Sequence, residues 1–433
     1  MAGDDGNLTC SGGHVDITPL SPMSLAGYRS RFGVFGSIAD TLEANVIVLR
    51  QGDRTLIFAQ LDVMSVGTEV RRRILDRLGE RIREEELLLI ASHTHSAPNV
   101  DCRLPDLGKI DHGYMESVAD KTAGLIEEII SGEGRPARIR YGEGKASHSM
   151  NRRAWCWAPF RGFPPIRKVM AWHPNPYGEK DETVRSFVIS GEPPIPEPIG
   201  VLWNYACHPV GFPDYLAVSA DYPGVVRRHL RKRMGNDLPV IFLPGFAGNV
   251  RPNKIDLLPK SLYYFAHRLV NGPVWGRFDA GSWNEWAGSL ADVVTASTDE
   301  AKKLVMPCFI AHRHFHPIKE IMDGVVDDRI LTYHLVRLSR SFLFIAISAE
   351  PVIEYASLLR DAFPEEAVIP VGYIDGVIGY LPTSNMLDEG GLEVVSPGYS
   401  LEHVRFNGMI SEKILSIIRS CYKEIAGDEQ VCR

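Results

Sequence analysis

A chain of 433 residues with 45% hydrophobic and 23% charged side chains has the makeup of a globular protein with a large core. A net charge of −7 leaves no basic excess to neutralise phosphates, which excludes a general nucleic-acid binder. No apolar run of about 18 residues is present to span a bilayer, so no stable membrane insertion is expected. Seven cysteines without CxxC pairs fit reduced thiols. The start, Met1 to Gly6, is acidic and lacks an apolar core, so no secretory signal and a cytoplasmic location are expected.

Residues 1–13 carry no clear pattern and are expected to form a flexible N-terminus. Ala44–Leu49 and Thr55–Leu61 are strand-like and turn at Gln51-Gly52-Asp53. Thr68–Ile82 has helical periodicity, and Leu87-Leu88-Leu89-Ile90 is too short for a helix, so it predicts a strand buried on both faces. Tyr114–Ile130 predicts a helix and Ala137–Tyr141 a strand. This alternation favours an α/β fold, a mixed sheet with flanking helices. Residues 151–181 interrupt it with Trp155, Trp157, Phe160 and Phe163 in a Pro/Gly/Arg-rich frame, as expected of an ordered loop walling a pocket. Ile199–Ala206 and Leu238–Leu243 are strands around a helix over Pro223–Met234, with Asp221 at its start. A second aromatic insertion covers about 254–282, with Tyr263, Tyr264, Phe265, Trp275 and Phe278. After a helix from Trp283 to Lys303, three antiparallel strands are expected at Pro307–His316, Arg329–Leu338 and Phe342–Ile347. Helix, strand and closing helix follow at 353–363, 367–373 and 403–425. Without repeats or linkers, residues 14–433 are expected to form one large domain.

The chemistry collects at strand ends, where ligands gather in α/β proteins. His93 and His95 follow the aliphatic run two residues apart, and strand alternation would put both on one side. His208 follows Val201–Ala206, and Glu350 follows Phe342–Ile347. His93 or His95, with His208 and Glu350, would give two imidazoles and a carboxylate, the donor set of a catalytic zinc with a position left for water. His312, His314 and His316 share a strand face, where diverging side chains fit a solvated or hydrogen-bonded surface better than one ion. Cys207 beside His208 is a formal nucleophile candidate, although such a thiol is more often buried and inert. The GxSxG, P-loop and GxGxxG patterns are absent.

Ser92-His93-Thr94-His95-Ser96-Ala97-Pro98 resembles the THTHSGP signature of the neutral/alkaline non-lysosomal ceramidase family. Met150-Asn151-Arg152, Cys207-His208-Pro209, Ser219-Ala220-Asp221, Ala349-Glu350-Pro351 and Gly379-Tyr380-Leu381-Pro382-Thr383 agree with its later motifs in the same order. Asp16-Ile17-Thr18-Pro19, Gly27-Tyr28 and Asp62 agree with earlier ones, so the likeness runs over about residues 14–425. It implies the catalytic N-terminal domain only, with no immunoglobulin-like C-terminal domain. It also implies one zinc ion held by His93, His208, Glu350 and Tyr380, with His95 as proton or hydrogen-bond partner and Arg152 as oxyanion or substrate contact. Gly248-Asn249-Val250-Arg251-Pro252-Asn253 matches the family's GDVSPN hexapeptide except that Arg251 replaces the nucleophilic serine.

The catalytic expectation therefore comprises His95, Arg152, Arg251 and Tyr380. The activity expected is zinc-dependent hydrolysis of an amide, or an ester or lactone, in a small polar substrate by metal-activated water. The alternatives are a ceramidase-like amidase on lipid amides and a non-catalytic metal-binding relative. The expected partner is a small molecule, with no nucleic acid, and self-association as a homo-oligomer is compatible with this composition.

Overall fold

The structure is a computed structural model that describes residues 7–159, 166–193, 196–256, 262–325, 328–395 and 404–428. Its largest sheet has nine strands. Along its main path lie Val240–Pro244, Pro198–Tyr205, Thr183–Gly191, Arg135–Lys145, Thr9–Asp16, Glu43–Gln51, Arg54–Leu61 and Leu87–Ala91; Lys303–Val305 pairs with Arg135–Lys145 off that path. Most neighbours are antiparallel. The two edges are not: Val240–Pro244 runs parallel to Pro198–Tyr205, and Leu87–Ala91 runs parallel to Arg54–Leu61. A four-stranded sheet, Pro307–Pro317, Ile330–Ser339, Phe342–Ile347 and Ala367–Val371, is antiparallel except for its last pair.

Side-chain alternation explains how these sheets stack. Leu88, Ile90, Phe58 and Leu202 of the large sheet share one apolar cluster with Phe342, Phe344, Ala346 and Ile369 of the small one. The intervening residues face outward onto helices. Leu87, Leu89 and Ile57 meet Val70, Ile74, Val118 and Ile126 of the helices Thr68–Leu78 and His112–Ser131. Val201 and Trp203 meet Val226, Leu230, Leu290 and Val294 of Asp221–Met234 and Ala280–Asp299. Leu343 and Ile345 meet Leu359, Ile414 and Ile418 of Glu354–Ala362 and Ile410–Asp428. The result is a mixed α/β architecture of helices, sheet, sheet, helices. A strand covered on both faces must be apolar at every position, which is why Leu87–Ile90 has no alternation.

Three segments differ from expectation. Residues 9–13 belong to the strand Thr9–Asp16, which pairs with Glu43–Arg50 along its length. The glycines that hide it are there for space, since a Cβ on Gly12 would lie 2.7 Å from the Val46 carbonyl oxygen. Residues 151–181 are not an irregular loop. Ser149–Pro159 and Ile166–Asn175 form a long antiparallel hairpin, and Trp155 and Trp157 are about half exposed on the same side of it. Its second strand carries Trp172; Phe160 and Phe163 lie outside the described residues. The 254–282 segment holds a helix, Leu262–Asn271, and a short ladder of Ile255–Asp256 with Val274–Trp275, while the side chains of Tyr263 and Tyr264 lie outside the described residues. No helix among the described residues is long and apolar enough to cross a membrane.

The contact between the sheets makes a stability prediction. Leu88 is 2% exposed at that interface, so Leu88→Ala lowers unfolding stability by about 2–5 kcal/mol, read from the urea midpoint. Met306→Ala, at a site 70% exposed, shifts it by less than about 0.5 kcal/mol.

Candidate metal centre

Three loops leave the sheets at one end and meet. The first follows Leu87–Ala91, where the chain turns out of the sheet before the histidines. His93 has φ 64°, a left-handed conformation that costs a residue with a β-carbon of order 1–3 kcal/mol and persists where surrounding structure enforces it. Here the His93 N–H donates to the Val63 carbonyl at 3.0 Å, and its Nδ1 lies 2.6 Å from the Met64 carbonyl oxygen. This kink, not strand alternation, brings His93 and His95 together. The second loop follows Pro198–Tyr205. The His208 N–H donates to the Val250 carbonyl at 3.2 Å, and its Nδ1 faces the Ala247 carbonyl, also at 3.2 Å. A carbonyl can only accept, so in both rings Nδ1 carries the hydrogen and Nε2 keeps its lone pair.

Those lone pairs point at one another. Nε2 of His93 is 3.0 Å from Nε2 of His208 and 3.4 Å from that of His95, and the His95–His208 distance is 3.2 Å. A point equidistant from three atoms so spaced lies ~1.9 Å from each, close to the Zn–N bond length of ~2.0–2.1 Å. The third loop supplies a carboxylate. Glu350 Oε2 lies 3.4 Å from His93 Nε2 and 3.7 Å from His208 Nε2. Glu350 is fully buried, and neither of its carboxylate oxygens accepts a hydrogen bond from a described residue. Burial pushes the His95 and His208 imidazoles well below the usual histidine range, so both stay neutral and available as donors. Three imidazoles and a carboxylate with no other partner fit a divalent transition metal.

Two glycines make the convergence physically accessible. Gly27 has φ 106°, and a Cβ there would sit 2.4 Å from His95 Nδ1. A Cβ on Gly248 would sit 2.4 Å from the Glu350 carbonyl oxygen. Tyr28 packs its ring 5.0 Å from that of His95.

The other expected residues surround this centre in different ways. Tyr380 is the register partner of Glu350 in a two-residue parallel ladder, buried beneath the Arg152 guanidinium, which lies 5.2 Å from its ring centre. Burial, reinforced by Glu350, pushes its phenol up, so it stays protonated. Arg152 donates through Nε to Glu393 at 2.9 Å and through a terminal nitrogen to the Gly248 carbonyl at 2.5 Å. Burial alone would lower its pKa, but Tyr380 and Glu393 reverse that and hold it firmly charged. Arg251 extends from Val250–Pro252, whose register sets Arg251 opposite Met150. Its guanidinium is 4.8 Å from the ring centres of both Trp172 and Trp275. Arg152, Arg251, His95, His208 and Tyr380 line one cavity of about 1090 Å³.

Asp62 does not reach the centre; it accepts from Arg227 at 2.8 Å and from the Glu43 backbone at 3.0 Å. Burial raises the Cys207 thiol well above its ordinary range, which makes it inert as a nucleophile. His312, His314 and Glu424 form a second cluster of potential donors, but all three are partly exposed and His312 is engaged by Asp428 at 2.9 Å. Sequence reasoning missed Glu393, which bridges Arg152 and Arg153 at 2.9 and 2.8 Å, and Trp172. Nothing in the spacing signals Glu393. For Trp172, the alternation of Trp155 and Trp157 in the same insertion was the available sign of a hairpin.

No protein-family model and no curated relative matches this chain. Among solved structures, neutral ceramidase from Pseudomonas aeruginosa is similar with a TM-score of 0.69 and 16% identity, over 88% of this chain and 69% of that one. A structure described as ceramidase complexed with C2 is similar with a TM-score of 0.67 and 15% identity, over 88% of this chain and 70% of that one. At these identities the likeness shows the fold: this chain is built on the frame of a ceramidase catalytic domain.

Proposed function

We propose that the protein is a metal-dependent hydrolase of amide bonds, with zinc as the ion. The observation that carries this is the convergence of the His93, His95 and His208 Nε2 atoms, with the Glu350 carboxylate beside His93 and His208 and with His95 and His208 opening onto one large cavity. The ceramidase frame supports amides over other acyl compounds. A zinc ion held by these groups would bring the pKa of a bound water towards ~7. The net reaction would add one water across the bond: hydroxyl to the acyl carbon and proton to the leaving nitrogen as the C–N bond breaks.

The chain's own residues divide the remaining work. His93 and His208 are oriented by carbonyls and serve as ligands with Glu350. His95 would join them, because its Nε2 stands at the same spacing, and we place it in the ligand set rather than in the proton-shuttle role. Arg152, fixed by Glu393 and the Gly248 carbonyl, presents positive charge next to Tyr380. The phenol of Tyr380, kept protonated by burial, is a donor for the carbonyl oxygen as it gains negative charge. We place Tyr380 in that role rather than in the ligand set. Ester and lactone cleavage would use the same groups.

Metal analysis tests the centre. The wild type should carry near one equivalent of zinc per chain, and His208→Ala and His95→Ala should each lose most of it. Gly27→Ala should do the same without touching a ligand, because its methyl would enter the His95 ring. Zinc retained in His95→Ala would return that residue to a proton-transfer role. No bound metal in any of the four proteins would remove the basis of the proposal.

Tyr380→Phe separates donor from ligand. It should keep its zinc and lower kcat on an amide substrate by about 100-fold, the usual effect of losing one oxyanion donor. Loss of zinc in that variant would make Tyr380 a ligand instead.

A further inference from the structure

Arg152 and Arg251 line the same cavity but differ in one respect. The charge of Arg152 is matched by Glu393 at 2.9 Å. Arg251 has no carboxylate: among the described residues none forms an ion pair or a hydrogen bond with its side chain, and its Nε is buried without a partner. What Arg251 does have is aromatic. The Trp172 and Trp275 ring centres lie 4.8 Å from its Cζ and 5.7 Å from each other, so both indoles sit to one side of the guanidinium. They hold it by cation–π attraction and fix its plane. Arg251 and both tryptophans line the cavity. Arg251 is partly buried, with the unpartnered Nε its enclosed atom, and burial pulls its pKa down to about 10. Its neighbours do not relieve this, since the nearby Tyr28 and Cys207 are neutral and Arg152 is a like charge.

We propose that Arg251 is the carboxylate clamp of the substrate site, so that the amide cleaved carries a carboxylate group, as in an N-acyl amino acid. The inference rests on the hydrolase proposal for what is cleaved, but the anion subsite itself stands on Arg251, Trp172 and Trp275. The guanidinium supplies two parallel N–H donors of carboxylate geometry. The backbone of Val250 accepts from the His208 N–H at 3.2 Å, and the Arg152 N–H donates to the Asn249 carbonyl at 2.8 Å. The clamp is thereby tied to the strand that positions the metal-facing histidine and the oxyanion-side arginine. An acyl chain has the aromatic wall formed by Phe212, Phe278 and the two tryptophans to lie against.

Two measurements on the full chain separate this from the hydrolase proposal. In the first, binding of N-octanoylglycine and its neutral match N-octanoylglycinamide is compared by calorimetry in EDTA-treated protein, so that no metal contacts the carboxylate. The wild type should bind the acid about 30-fold tighter, the size of effect expected of a hydrogen bond between charged groups. In R251Q that preference should fall below about 3-fold. R251K should keep an intermediate preference, because lysine offers the charge without the bidentate fork. If R251Q does not fold, R251K and the wild-type acid-to-amide ratio still decide the matter. Equal binding of acid and amide by the wild type, or a preference that survives R251Q, would overturn the clamp.

The second measurement is turnover of the same pair by zinc-loaded enzyme, where kcat/KM should favour the acid by a similar factor, chiefly through KM. Hydrolysis of both at equal rates would leave the hydrolase proposal standing and defeat the clamp. An Arg251-dependent preference in binding with no hydrolysis of either would support the clamp and defeat the hydrolase.

Discussion

Three imidazole lone pairs and a carboxylate aimed at one buried point repel one another. That arrangement is the constraint on which the other features depend. The backbone holds His93, His95, His208 and Glu350 where they are. Carbonyls of Met64 and Ala247 fix two rings, Gly27 and Tyr28 confine the third, and the ladder with Tyr380 fixes Glu350. The left-handed conformation of His93 has its explanation here. Strain is tolerated at one residue because it delivers that residue's nitrogen to a place no regular strand would reach.

How much of this the sequence reveals depends on where the determining interactions lie along the chain. Strands covered on both faces announce themselves as unbroken aliphatic runs, so Leu87–Ile90, Leu238–Leu243 and Phe342–Ile347 are legible, and with them the strand-end positions of His93, His208 and Glu350. The hairpin over 149–175 is not legible in the same way. Its Pro/Gly/Arg-rich frame reads as an ordered loop, and the alternation that marks the strand is confined to Trp155, Cys156 and Trp157, exposed, buried and exposed in turn. The strand Thr9–Asp16 is hidden for the opposite reason. It is so closely packed at Gly12 that the position a β-branched residue would mark is a glycine. Glu393 is the deepest miss. Its meaning arises only from two arginines about 240 residues earlier, a pairing that no local pattern encodes.

Charge in the cavity is partitioned by burial and by partner. Arg152 and Arg153 share Glu393, and Arg153 also reaches Glu389, so the arginines behind Tyr380 are close to neutral as a group. Arg31 is satisfied differently, by the carbonyls of Ala26 and His95 and by the faces of Tyr28 and Tyr215. A matched arginine stabilises charge that appears briefly, because its environment is set before the reaction and need not reorganise. An unmatched one favours charge that arrives with the ligand and stays. Arg152 and Arg251 are therefore not interchangeable, although they line one wall.

An arginine at position 251 then has a coherent physical consequence. The backbone there cannot move freely. Asn249 accepts from the Ile353 N–H at 2.8 Å and donates to Glu354 at 2.8 Å, while Arg251 is in register with Met150. A serine on this fixed backbone would put a hydroxyl close to the strand; an arginine carries its charge several bonds further out and meets the two indoles of the insertions. The length of the side chain thus decides where its charge sits: at the two indoles, while the histidine-bearing loops are held separately by the carbonyls of Met64 and Ala247.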